Sequence, residues 1–147
     1  MNEKKLMPES SYISGFQISQ DPKALLTAYQ REQQGQNDSL LLLLQHDYLG
    51  CDTDLGREQL QELLAAASNA EQLPQFIVLM DKAVLLACSG NEALGSLCRM
   101  EAMGTEIIAC RRAAESYAAD AELCCGELED EANIWSLLLK AQRVIAL

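Results

Sequence analysis

Five consecutive leucines, Leu40 to Leu44, stand between Ser39 and Gln45. A run this short is far below the ~20 apolar residues a membrane helix requires, and it has no polar side for a surface helix. It reads as a β-strand buried on both faces, and strands of that kind belong to parallel sheets covered by helices above and below. Phe76 to Met80 and Thr105 to Ala109 repeat the pattern. The chain is therefore built around a parallel sheet.

Between these runs the periodicity turns helical. Asp54 is expected to cap a helix whose apolar positions are Leu55, Leu60, Leu63, Leu64 and Ala67, ended by Leu73-Pro74. A second helix is expected from Asn91, with Leu94, Leu97, Cys98 and Ala102 on one face and Gly104 as its left-handed stop. Ala83 to Cys88 fits either a short helix or a packed loop. Ala113 to Leu123 favours helix, Glu127 to Glu131 a solvated turn, Ile134 to Ala141 a last helix, and Val144 to Leu147 a final strand. Right-handed crossovers between parallel neighbours then give an α/β three-layer sandwich with a small, mostly parallel, flavodoxin-like sheet.

Residues 37–147 form this domain, and residues 1–36 an N-terminal arm with a short helix opened by Asp21-Pro22. The first dozen residues hold Lys4 and Lys5 but no apolar core, so no secretory signal is expected and the reading is cytoplasmic. A formal charge of −11 argues against nucleic acid and against an anionic membrane as partners, since both need a basic face.

Six cysteines invite a disulfide or zinc reading. A cytosolic chain with a sizeable core needs no staples. No Cys-x-x-Cys pair occurs and His46 is the sole histidine, so no metal site and no cofactor are expected. Cys88 and Cys98 read as core thiols, and the adjacent Cys124 and Cys125 cannot easily bridge each other. Serine hydrolysis lacks a base partner, and no glycine-rich phosphate loop is present.

Three stretches carry a family resemblance: LLLLLQHDYLGCDTDLG at 40–56, the strand QFIVLM, and SGNEALGSLCRMEAMGTEIIAC at 89–110. With Gly126-Glu127, residues 37–128 resemble the DsrE-like family, most closely the C-terminal domain of YedF proteins, which are linked to selenium metabolism. The resemblance implies sulfur or selenium handling at a thiol, and self-association into homo-oligomers. Where YedF-like chains have Cys-Gly-x-Cys, this one has Cys110-Arg111-Arg112-Ala113, which removes any relay through a second cysteine at 113.

Ligands of open parallel sheets gather at the carboxyl ends of the strands, here residues 46–54 and 110–112. The thiolate is the reactive form of cysteine, and helix N-termini and cations favour it. Cys110 is thus the candidate carrier thiol. Arg111 and Arg112 are candidates to stabilise its anion, His46 to act as base or shuttle, and Cys51 to resolve from the opposite loop. The leading expectation is a sulfurtransferase-like carrier of persulfide sulfur or selenium that exchanges with a donor or acceptor protein. The rival expectation is a DsrE-like module that has lost catalysis and binds a protein or a small molecule.

Overall fold

The computed structural model describes residues 39–147. The chain divides into two units, Met1–Asn37 and Asp38–Leu147, and all the described residues belong to the second. The arm and the helix expected at Asp21-Pro22 lie outside the described residues.

The three apolar runs become β1 (Leu40–Leu44), β2 (Phe76–Leu79) and β3 (Glu106–Cys110). Two further strands complete a five-stranded sheet, β4 (Glu127–Glu129) and β5 (Arg143–Ala146), in the order β4-β3-β2-β1-β5. Every pairing is parallel. The helices are α1 (Asp54–Ser68), α2 (Leu94–Ala102), α3 (Arg111–Ser116) and α4 (Glu131–Lys140). The ambiguous patch is a 3-10 helix, Asp81–Ala87.

Strand order decides the layers. From β1 to β4 the chain steps one strand at a time in one direction, so right-handed crossovers put α1, α2 and α3 on the same face. The return from β4 to β5 runs the other way and puts α4, alone among the described helices, on the opposite face. Alternation then assigns the core. Leu42, Leu44, Ile77, Leu79 and Ile107 meet Leu60, Leu64, Leu97 and Met100, while Leu41, Val78 and Ile108 face Ile134. Among the described residues one ten-residue helix covers that face, and its Trp135 is 61% exposed.

Several expectations need correction. The N-cap of α1 is Thr53, whose hydroxyl accepts from the Gly56 N–H at 3.0 Å, and Asp54 is the first helical residue. The buried stripe of α1 is narrower than its leucines suggest, because Leu55 is 63% exposed. Glu127–Glu129 is a strand, since the open edge of β3 offers it backbone partners and glutamates suit an edge. The helix expected over 113–123 ends at Ser116; Ala118 turns left-handed (φ 55°), and Leu123 instead bridges Cys88. Thr105 precedes β3, buried, with its hydroxyl donating to Pro74 O at 2.8 Å.

Candidate functional site

The sheet register sets one level across the strand ends. Leu44 pairs with Leu79, Leu79 with Ala109, and Cys110 with Glu129, so Gln45, Met80, Cys110 and Glu129 lie in a row. By alternation their side chains take the α4 face. A cleft of about 320 Å³ opens there. Its floor and wall are Leu43 and Met80 from the sheet with Ile134 and Leu138 from α4, and its rim is Gln45, His46 and Asp81. An apolar cavity with a few convergent polar groups at the strand ends is the form of a small-ligand site in an open α/β sheet.

The rim is held by long-range bonds. Asp81 has a left-handed backbone (φ 50°), which a non-glycine residue adopts only where its surroundings impose it. The Tyr117 hydroxyl donates to Asp81 Oδ1 at 2.7 Å, and this bond, with burial and the nearby charge, pushes the phenol pKa up. The carboxylate of Asp47 is close enough to add to that shift. Asp47 Oδ1 is itself buried with no hydrogen-bond partner among the described residues. A desolvated carboxylate oxygen without a donor is costly, and a ligand or water donor would relieve it.

Cys110 ends β3 at the N-cap position of α3 and is 3% exposed. Helix α3 begins directly after it and has only six residues. The two arginines reach toward β4 and α4. Arg111 pairs with Asp130 at 3.1 Å and donates to Leu128 O at 3.2 Å, and Arg112 pairs with Glu131 at 3.1 Å. Both guanidiniums thus fasten α3 to the β4–α4 junction.

His46 is exposed on the cleft rim, its ring 4.8 Å from that of Tyr48. Cys51 is an exposed loop thiol, and β2 separates its strand from that of Cys110. The loop that carries Cys51 is tied to α1 by the bond from Leu49 N to Gly56 O at 3.0 Å. Of the expected site residues, then, His46 joins the cleft, while Cys51 stands apart from Cys110. Sequence reasoning missed Asp81 and Tyr117. The strand-end position of Asp81 could have flagged it; nothing local marks Tyr117, which lies 36 residues further on.

Among the described residues no group of three or more His, Cys, Asp or Glu could hold a metal ion, and no helix is long and apolar enough to cross a membrane.

No protein-family model matches the chain, and no curated protein does. Solved structures do resemble it. The crystal structure of the ychN protein from E. coli is similar with a TM-score of 0.55 at 15% identity, covering 74% of this chain and 97% of that one. BT1422, a conserved protein of unknown function from Bacteroides thetaiotaomicron, is similar with a TM-score of 0.53 at 16% identity, covering 76% and 97%. At such identities the likeness is one of fold, and the fold is flavodoxin-like and DsrE-like.

Proposed function

We propose that this protein handles sulfur or selenium, as a relative of the YedF C-terminal domain, and carries it as a persulfide on Cys110. The observation that supports the reading is the position of that thiol. It is the last residue of β3, one strand from Met80 on the cleft floor, and on the same face of the sheet. Loading is a thiolate attack on the outer sulfur of a donor persulfide. A bond forms from Cys110 Sγ to that sulfur, the donor S–S bond breaks, and the donor leaves as a thiolate.

Because Cys110 is buried, loading requires the β4–α4 junction to swing away. The Arg111–Asp130 and Arg112–Glu131 pairs are the contacts to be broken, and each is solvent-exposed and individually weak. Once released, the guanidiniums could turn to the persulfide anion. His46, on the cleft rim, would form the opposite wall, and the loop bearing Cys51, tied to α1, takes no part in it.

The test is intact mass and peptide mapping after incubation with a cysteine desulfurase and cysteine, for the parent and for Cys110→Ser. A gain of about 32 Da mapping to Cys110, removed by dithiothreitol and missing from the variant, is expected. Loading confined to the exposed Cys51 or Cys124, or no loading where a known carrier loads, rejects the reading.

One observation favours a second reading. The unpartnered Asp47 Oδ1 beside the Asp81–Tyr117 pair suits a small ligand bearing hydrogen-bond donors and an apolar body. A ligand bound equally well by Cys110→Ser and more weakly by Asp47→Asn would favour a binding module over a carrier.

A further inference from the structure

Cys88, Cys98, Cys124 and Cys125 gather on the flank where the 3-10 helix, α2 and the approach to β4 meet. Cys124 N–H donates to Ala87 O at 2.8 Å, and Leu123 bridges Cys88. One residue past Cys125, Gly126 N–H donates to Glu101 Oε2 at 2.8 Å, which holds this approach against α2. Gly126 has φ 82°, and a Cβ there would lie 2.9 Å from both Ile107 O and its Cγ2. The segment therefore lies flat on β3 with no slack.

Cys98 sits one turn before Glu101 on the same face of α2. The bond that anchors Gly126 to Glu101 thus brings Cys125 against the face of α2 that carries Cys98, close enough for Cys98 to help raise the Cys125 thiol. Cys125 is 5% exposed and Cys98 is half-buried. Neither thiol has a part in the strand-end cleft.

We propose that Cys98 and Cys125 are a redox-active dithiol that closes to a disulfide on meeting a low-molecular-weight disulfide. The half-buried thiol reacts first. The Cys98 thiolate attacks the oxidant, a mixed disulfide forms at Cys98, and one small thiolate leaves. The Cys125 sulfur, its proton lost to solvent, then attacks Cys98 Sγ, and the second small thiolate leaves. Two protein thiols are oxidised, one small disulfide is reduced to two thiols, and no other co-reactant is needed. Burial, reinforced by Cys98 and Glu101, pushes the Cys125 thiol up to about 12. Cys125 is therefore the resolving partner rather than the point of entry.

The bond would fasten α2 to the segment that feeds β4, the edge strand paired with Cys110. It stands independently of sulfur carriage, and the same outcome is expected in a Cys110→Ser background.

The experiment oxidises fully reduced protein with oxidised glutathione, alkylates the remaining thiols and maps disulfide-linked peptides by mass spectrometry. The expected product carries a disulfide within one chain that joins Cys98 to Cys125, the linked peptides being lighter by two hydrogen atoms than the two free thiol peptides together. In Cys98→Ser, Cys125 should remain alkylatable. Recovery of Cys98 and Cys125 both alkylated, after the exposed Cys51 and Cys124 have been consumed, would overturn the proposal. So would Cys125 joined to Cys88 or Cys124 in the parent.

Discussion

Replacing Gly56 by alanine and replacing Gly95 by alanine should move stability in opposite directions, although both glycines are helical. A Cβ on Gly56 would lie 2.2 Å from Cys51 O and 2.6 Å from Leu49 O, both backbone atoms of the loop after β1. Ordinary contact needs more than an ångström of retreat there. The loop cannot retreat without loosening the bond from Leu49 N to Gly56 O and the Thr53 cap on Gly56 N–H, each 3.0 Å. Losing both costs about 2–4 kcal/mol, against which alanine returns about 1 kcal/mol of helix propensity. The net expectation for Gly56→Ala is a loss of about 1–3 kcal/mol, with faster alkylation of Cys51 as the loop loosens. Gly95 has nothing within 4 Å of its Cβ position, so Gly95→Ala should gain about 0.5–1 kcal/mol. Urea unfolding followed by circular dichroism, at constant m-value, measures both. A Gly56→Ala midpoint within about 0.5 kcal/mol of the parent would refute the contact argument, because a small surface change has that size.

Leu97, on the buried face of α2, is fully buried, and Leu97→Ala should cost about 2–5 kcal/mol in the same unfolding assay. The raised Cys125 thiol predicts a pH window. Below about 9 it is protonated in both folded and unfolded chains, and toward about 12 only the unfolded chain ionises it, so stability falls across that range. A Cys125→Ala variant should lose less stability than the parent between neutral pH and the upper part of that window; equal slopes would contradict the assignment. Arg111→Ala should change global stability by no more than about 1 kcal/mol, since the pair is exposed. It should nevertheless speed alkylation of Cys110, and an unchanged rate would show that Arg111 is not the latch over that thiol.

The sheet was legible because its central strands are buried on both faces. Leu40–Leu44, Phe76–Leu79 and Glu106–Cys110 stand out as apolar runs without any knowledge of their neighbours. Gly104, left-handed at φ 115°, marked the end of α2 for an equally local reason. Where the cause was not local, sequence reasoning failed. Glu127–Glu129 carries the composition of a solvated turn and is a strand because β3 presents an open edge to it. Leu123 left the expected helix because Cys88 lies opposite.

The same division runs through the candidate sites. Sequence alone determined that Cys110 ends a parallel strand and that a helix follows it, since apolar runs, caps and turns are written within a few residues. Tertiary structure decided that this thiol is closed over, that Arg111 and Arg112 spend their charge on Asp130 and Glu131, and that Tyr117 braces Asp81. It also decided that Cys125 lies against the face of α2 that carries Cys98. Each of these pairs residues of distant elements, brought together by strand order and by the right-handed sense of the crossovers. Periodicity reports which face of an element is buried, and only the packed sheet determines what lies against it.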